Sequence, residues 1–504
     1  MQKVLSLDKL ESELFMARDD AKIVHCHGTF DLLHVGHIKH LQVAKLQGDL
    51  LVVTITADKF VSKGPGRPVF NESIRADALS ALQCVDYVSI VEDVTALPAI
   101  DVIRPAVYVK GSDYKTAKDD ISGNILLEKE LVESHGGRIF FTDEITFSSS
   151  KLLNEYFDVF SKETKEYLSL MKSKYSLDEL FSMIDSLSSL KVLVVGDAII
   201  DEYHTTVPLG QTGKGNILSV KYESSERFAG GAMAVANHAA DFVGSISLVT
   251  GLGKEVSFEQ YIRDSINPKI EPYFFYRDDG QTLVKRRFVD QEMDKLFEVY
   301  FYNDQIFPSG VVNDVVGWLE EELSGYDVVI VPDFGNGFVH QEIANVLSRK
   351  ANFLAVNAQI NSGNRGHHAV TRYEKADFIS INEPELRLAT HDRIENIDDL
   401  ALKVARRMKA RGIAITRGTK GALVVDAKDG AFNYVPALST KVVDRIGAGD
   451  AFLTVASLAA VANIPADVTG LLGSAAAAIS VQTVCNSEPV SVVAIKKYIT
   501  TLLK

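Results

Sequence analysis

Short runs of apolar, mostly β-branched residues alternate along the chain with stretches whose apolar positions recur every three or four residues. Residues 21–26 form the first run, Gly28 follows it, and 37–46 has helical spacing. Leu50–Thr56 is then a β-branched run of the kind that forms a strand covered on both faces. Similar runs recur at Tyr87–Val91, 106–109 and 138–141, with helical stretches between them. Strand–helix alternation predicts a doubly wound parallel α/β sheet, with ligands at the carboxyl ends of its strands. The first domain is expected over 1–155.

Residues 157–190 carry no strand signal and are rich in Lys, Glu, Ser and Leu. Ser176 followed by Glu179 reads as a capping box opening a helix through Ile184. A helical linker over 156–175 and a second domain over 176–504 are expected. The run KVLVVG at 191–196 opens the second α/β pattern, which resumes at 328–331, 353–356, 378–381, 413–416 and 422–425. Segments 218–222 and 282–289 read as strands outside the alternation, which suits a small lid sheet.

At 504 residues the chain exceeds one ordinary core, and 46% hydrophobic with 24% charged residues is a globular composition. A net charge of −14 opposes generic binding to nucleic acid or anionic membrane, while leaving room for a local pocket for a phosphorylated small molecule. Cys26, Cys84 and Cys485 show no paired spacing, so neither disulfides nor structural zinc are expected, and a reducing cytosol fits. Residues 1–22 mix charged and apolar types, unlike a signal peptide. The apolar stretch 451–462, closed by Asn463 and Pro465, is too short to span a bilayer. A cytoplasmic location is expected.

Two segments carry chemistry. In the first, Gly28, Thr29, Phe30 and Asp31 follow a buried strand, and His34 and His37 stand three apart at the start of a helix. A glycine lets backbone approach a phosphate, and a helix amino-terminus offers N–H groups and positive potential. Imidazoles there donate hydrogen bonds to an α-phosphate as its charge grows in the transition state. The segment resembles the HxGH signature of the cytidylyltransferase-like nucleotidyltransferases over roughly 23–154, with the glycerol-phosphate cytidylyltransferases and the heptose-phosphate bifunctional enzymes most similar. Lys45 before Gly48-Asp49, Gly66-Arg67-Pro68-Val69, Arg75, Val109-Lys110-Gly111-Ser112-Asp113-Tyr114 and Ser148-Ser149-Ser150-Lys151 extend the likeness. The resemblance implies that Lys110, Gly111, Asp113 and Ser148, Ser149, Ser150, Lys151 bind nucleotide, that Lys45 holds leaving phosphates, and that Arg67 and Arg75 contact substrate. Asp143 and Glu144 stand where some cytidylyltransferases have arginine.

In the second segment, Asp444-Arg445-Ile446-Gly447-Ala448-Gly449-Asp450 precedes an apolar helix. Gly447, Ala448 and Gly449 expose consecutive N–H groups as an anion hole for a transferring phosphoryl group, and Asp450 is placed to take a hydroxyl proton. This resembles the ribokinase-like sugar kinases of the PfkB family over about 191–504. The opening segment 195–201, whose final aspartate is Asp201, and then Gly230-Gly231 with Asn237 imply sugar contacts by Asp201, Gly230, Gly231 and Asn237. Asn382 and Glu385 of Asn-Glu-Pro-Glu imply organisation of magnesium. Thr416, Gly418 and Lys420 imply a nucleotide loop. Arg445, Asn336 and the 356–359 segment depart from heptose-kinase patterns. His367-His368 reads as part of a polar loop, since adjacent side chains rarely converge on one ion.

The expected fold is α/β throughout: a Rossmann-like nucleotidyltransferase domain, then a ribokinase-like kinase domain with a small β lid. The pairing implies a bifunctional enzyme of activated-sugar biosynthesis, with domain order reversed relative to the heptose enzymes. It implies magnesium in both sites, ATP for the kinase, and ATP or CTP as nucleotidyl donor, with ATP preferred. Small-molecule sugar phosphates are the expected partners, with no nucleic acid or membrane, in a homodimer or higher homo-oligomer. The rival readings are a CTP-dependent cytidylyltransferase with a kinase of other substrate, a nucleotide or sugar sensor with one decayed half, and a tRNA-synthetase-like enzyme; the acidic balance opposes the last.

Overall fold

The computed structural model describes residues 3–17, 20–61, 66–111, 124–142, 160–213, 215–303, 305–361, 363–364 and 366–503. The chain forms two compact units, Met1–Ser161 with Lys496–Lys504, and Lys162–Ile495.

In the first unit the elements run α1 (Leu7–Ala17), β1 (Ile23–Gly28), α2 (Val35–Lys45), β2 (Leu50–Thr56), α3 (Glu72–Ser80), β3 (Tyr87–Val91), α4 (Leu97–Ile103), β4 (Val107–Gly111), α5 (Asn124–Ser134) and β5 (Arg138–Thr142). The sheet is parallel in the order β3-β2-β1-β4-β5. Val24 and Cys26 of β1 pack on one face with Leu41 and Ala44 of α2, while Ile23 packs on the other with Leu10 and Leu14 of α1. Burial on both faces is why these strands read as continuous apolar runs. Strand order reverses at β1, so the ends of β1 and β4 open one crevice, where Gly28 and Gly111 lie.

The second unit begins with α6 (Lys162–Lys174) and α7 (Leu177–Ser186), so the expected 156–175 linker contributes a helix to it. Ser176 and Glu179 cap α7 reciprocally, and the helix extends two residues past Ile184. Then come β6 (Lys191–Val195), β7 (Ala198–Gln211), β8 (Leu218–Gly231), α8 (Ala232–Ala240), β9 (Ser245–Gly253), α9 (Glu259–Ser265), β10 (Ile270–Arg277), β11 (Val284–Val289) and β12 (Lys295–Phe301). The unit continues with α10 (Ser309–Glu322), β13 (Val328–Asp333), α11 (Gln341–Lys350), β14 (Leu354–Ala358), β15 (Phe378–Asn382), α12 (Glu383–Thr390), α13 (Ile397–Arg407), β16 (Gly412–Thr416), β17 (Ala422–Asp426), β18 (Phe432–Val435), α14 (Ala448–Val461) and α15 (Ala466–Ser480).

Nine strands form one sheet, β10-β9-β6-β13-β14-β15-β16-β17-β18, parallel except at β17, which pairs antiparallel with both β16 and β18. Four strands form a separate lid sheet, β12-β11-β7-β8. Segment 218–222 is therefore the start of a fourteen-residue strand. β7 beyond Asp201, β9, β10, β12 and β18 lie outside the predicted elements.

Candidate active sites

In the first unit Gly28 ends β1 and the chain turns through Phe30, which has a left-handed φ of 48°. His34 caps α2, its Nδ1 accepting from the Gly36 N–H at 3.1 Å. An accepting Nδ1 places the ring proton on Nε2 and makes that nitrogen the donor. Burial lowers the His34 pKa, which favours the neutral ring. The His34 and His37 rings stack 3.9 Å apart, and His37 meets the Phe30 ring edge-on at 5.3 Å. Two imidazoles are thus aligned at a helix amino-terminus beside the β1 turn.

Asp31 accepts from the Val69 and Phe70 N–H groups at 2.7 and 3.0 Å, and its other oxygen is 4.0 Å from Arg67, so Arg67 is drawn to the same turn. Lys110 is ion-paired with buried Glu128 at 2.9 Å, one residue before Gly111.

In this unit two expectations need correction. Lys45 lies at the carboxyl end of α2, about 15 Å of axial rise from its start. There it bonds the Asp49 carbonyl at 2.6 Å and Asp86 at 2.5 Å, clamping the helix end rather than holding phosphate. Arg75 is fully buried and donates to the carbonyls of Thr29, Thr56 and Phe70 and to Asp58. It fixes the Thr29 turn and has no surface for substrate. Ser112, Asp113, Tyr114, Asp143, Glu144 and Ser148, Ser149, Ser150, Lys151 lie outside the described residues.

The second unit builds its site between the ends of β6 and β13, where strand order reverses, and the lid sheet. Asp197, just after β6, accepts from the Phe334, Asn336 and Phe338 N–H groups and so shapes the loop after β13. Burial and neighbouring Asp333 push its carboxyl up to about 6. Asp333 itself bonds Arg372 at 2.8 Å, Tyr373 at 2.7 Å and His368 at 3.1 Å. His368 is thus a buried partner of Asp333 rather than a solvated loop residue. Among the described residues no three His, Cys, Asp or Glu side chains are grouped to hold a metal ion.

Asp201 on β7 forms an ion pair with Arg287 of β11. A Cβ at Gly230 would lie 1.9 Å from Asp201 Oδ2, so only glycine fits beside this carboxylate. Gly231, at a φ of 61°, precedes α8, whose first N–H bonds the Asp197 carbonyl at 3.0 Å. Asn237 is corrected: its amide donates to the Ser265 carbonyl and accepts from the Asn267 N–H, fastening a turn.

Gly447 caps α14 with a φ of 90°, and a Cβ there would lie 2.0 Å from Asn486 Oδ1. Ala448 and Gly449 follow in its first turn with Asp450. The Asp450 carboxyl is pushed up to about 7 by loss of solvent and by the charge of Asp201, with Lys285 opposing and Glu385 adding. Asp444 ties the loop before Gly447 to the lid. It accepts from Tyr203 of β7 at 2.6 Å, Lys295 of β12 at 2.9 Å, and the Ile446 and Cys485 N–H groups.

Asn382 and Glu385 form a reciprocal cap on α12, and Glu385 also accepts from the Ile360 N–H at 3.1 Å. Burial pushes the Glu385 carboxyl up to about 7. A cavity of about 1010 Å³ gathers Asn382, Thr416, Gly418 and Lys420, with Glu383 held between Arg387 and Arg417. Magnesium takes oxygen ligands and keeps several waters. Glu385 fits an ion bound through water, because each of its oxygens accepts one backbone bond and retains a lone pair.

Sequence reading missed Lys285, Arg287, Tyr203, Lys295 and Asn486. The available signal was cations two residues apart in the 282–289 strand, which share one face.

The pattern of the pfkB carbohydrate kinases matches residues 189–491, more than half of the chain. The chain belongs to the pfkB family of carbohydrate kinases. Ahead of that domain, 25–155 match the cytidylyltransferase-like pattern, so nucleotidyltransferase-type and kinase-type domains occur in that order. Curated relatives include the Bifunctional protein HldE of Syntrophotalea carbinolica, 42% identical over 144 residues, 28% of each chain. The Geobacter metallireducens protein of the same name is 48% identical over 120 residues, 23% of each chain. The matched segment spans about a quarter of these relatives' length. Among solved structures, phosphofructokinase-2 of Escherichia coli superposes with a TM-score of 0.51 at 16% identity, covering 63% of this chain and 100% of that one. A ribokinase-type protein from Agrobacterium tumefaciens gives 0.50 at 18%, covering 62% and 98%. At such identities the likeness shows the fold. Among the described residues no helix is long and apolar enough to cross a membrane.

Proposed function

We propose that the chain is a bifunctional enzyme of activated-sugar biosynthesis. In the kinase half, a sugar or sugar phosphate hydroxyl gives its proton to Asp450 and attacks the γ-phosphorus of ATP. The bond to the β-phosphate oxygen breaks, leaving a phosphate ester and ADP. The anion-hole N–H groups of Gly447, Ala448 and Gly449 meet the charge on the transferring group. Magnesium held through water near Asn382 and Glu385 supplies charge neutralisation of the polyphosphate. Asp201 orients the sugar.

In the first half, an oxygen of a sugar 1-phosphate attacks the α-phosphorus of a nucleoside triphosphate, and pyrophosphate leaves. His34 and His37 donate to the α-phosphate oxygens as charge builds, with the Gly28–Asp31 turn against the nucleotide. A homo-oligomer in a cytoplasmic setting accompanies this reading.

The observation that carries the proposal is the placing of Asp450, its carboxyl raised to about 7, on the first turn of α14 beside Gly447, whose α-carbon is crowded by Asn486. A base poised near neutral pH at an anion hole suits phosphoryl transfer. The Gly66–Val69 and Val109–Tyr114 segments, which resemble the heptose-phosphate bifunctional enzymes, favour ATP as the nucleotidyl donor. The test is pyrophosphate release with each of the four triphosphates and a panel of sugar 1-phosphates. ATP is expected to support turnover; turnover with CTP alone rejects the ATP assignment.

A further inference from the structure

The entry to α14 is built from glycines, and glycine does not hold its own conformation. Gly447, at a φ of 90°, and Gly449 flank Ala448 where the helix begins. A residue without a side chain visits left- and right-handed backbone about equally, so sterics within the loop leave its N–H groups free to turn. Donors to a transferring phosphoryl group are effective only when their directions are set beforehand. A contact from outside the loop has to set them. That contact is Asn486, whose Oδ1 lies 2.0 Å from where a Gly447 Cβ would stand.

Asn486 is held in turn by His238. Every residue of α8 is buried, and apart from Asn237 and His238 all are apolar. Burial lowers the His238 pKa to about 4, so the ring is neutral and carries one N–H. The Val490 N–H donates to Nδ1 at 3.0 Å, which leaves the proton on Nε2, 3.3 Å from Asn486 Oδ1. The ring therefore donates to the same oxygen that crowds Gly447. Among the described residues no other side chain bonds the Asn486 amide. The chain near Val490 is fastened a second time, because Asp241 accepts the Val492 N–H at 2.7 Å. What the imidazole alone supplies is the hold on Asn486.

A polar ring in a buried, mostly apolar helix is costly unless both nitrogens are bonded, and here both are. We propose that His238 is a positioning residue for phosphoryl transfer: it holds Asn486 against Gly447 and so fixes the direction of the N–H groups that open α14. The same helix starts at the Gly230–Gly231 turn packed on Asp201, so one short rigid element reaches from that carboxylate to the glycines of the second motif. This rests on the kinase reading above and adds to it a residue that touches neither substrate.

The test compares the full chain with His238→Asn, His238→Gln, Asn486→Ala and the double variant His238→Asn/Asn486→Ala. Asparagine sets an acceptor where Nδ1 stands and keeps the Val490 bond, but stops short of Asn486. Glutamine reaches the Nε2 position and keeps the bond to Asn486. Each gives up one of the ring's two bonds, so thermal melting controls for a general loss of stability. Turnover is followed with Mg-ATP and a panel of hexoses, heptoses and their phosphates. His238→Asn and Asn486→Ala are each expected to lower kcat for ADP formation about 10–100-fold, the scale of misaligned reacting groups, with KM little changed. His238→Gln should keep most of kcat while melting like His238→Asn, and the double variant should fall no further than either single one. Equal kcat losses in His238→Asn and His238→Gln overturn the proposal, as do additive losses in the double variant, an unchanged kcat in Asn486→Ala, or a rise in KM at constant kcat. If the parent chain forms no ADP with any sugar, the kinase reading fails, and hydrogen exchange of the Ala451 N–H, bonded to the Gly447 carbonyl at 2.9 Å, decides the positioning. His238→Asn should then exchange that proton faster than His238→Gln, and equal rates overturn the proposal.

Discussion

Arg75 illustrates how a charge that looks like a ligand contact can be structural. All its donors face inward, to three carbonyls and Asp58. Arg75→Met leaves those carbonyls without a donor, and a loss of about 3–5 kcal/mol in urea unfolding is expected. An unchanged midpoint with a raised KM for sugar phosphate returns Arg75 to the substrate site. Sequence alone does not separate these roles, because the partners of Arg75 lie 5 to 46 positions away and share no motif with it. The same holds for Asp201 and Arg287, 86 positions apart, and for Tyr203 and Asp444, 241 apart. By contrast, the Gly28–His37 and Asp444–Asp450 segments carry their geometry locally, so each was legible as a turn followed by a helix start.

At the scale of elements, α14 is held at its entry by one close approach. His238 of α8 accepts the Val490 N–H through Nδ1 at 3.0 Å, so its Nε2 donates to Asn486 Oδ1 at 3.3 Å, and that amide lies where a Gly447 side chain would go. Gly447→Ala meets both the left-handed φ and this clash. It is expected to cut phosphoryl transfer by about 100-fold or more, the scale of losing aligned oxyanion donors, while nucleotidyl transfer continues. Wild-type kinase rates in Gly447→Ala contradict the anion-hole account.

Strands buried on both faces, such as Leu50–Thr56, were read from their apolar runs. Those missed have physical reasons. Pro272 interrupts β10, which is tolerated because β10 is an edge strand. Gly251 and Gly253 break the β9 pattern, with Gly251 packed against Phe307 and Phe338. Pro208 and Gly210 of β7 sit at a register shift in the long hairpin.

For the whole molecule, the two units should answer acid in opposite senses. In the first, burial lowers His25 to about 3 and His40 to about 4. Unfolding lets these rings protonate below their ordinary 6.5, so stability falls as pH drops from 6.5 toward 4. In the second, Asp450 and Glu385 are raised to about 7 and Asp197 to about 6, so the folded state holds protons the unfolded state releases. Those groups add stability as pH falls from about 7 toward 4, opposed by His238, lowered to about 4. Hydrogen exchange corrected for intrinsic rates should therefore show β1 opening more easily at pH 5.5 than at 7.5, and α14 no more easily. Parallel weakening of both contradicts these assignments.

The central claim is that two helix amino-termini, one in each unit, perform separate transfers on phosphate. Its most direct test follows ADP formation and pyrophosphate release in parallel, with Mg-ATP and sugar phosphates, for the parent chain, Asp450→Asn, and the His34→Ala/His37→Ala double variant. Asp450→Asn should lose ADP formation by about 10²–10⁴-fold and keep pyrophosphate release, and the histidine variant should do the reverse. A variant that loses both activities while remaining folded, or neither, contradicts the account.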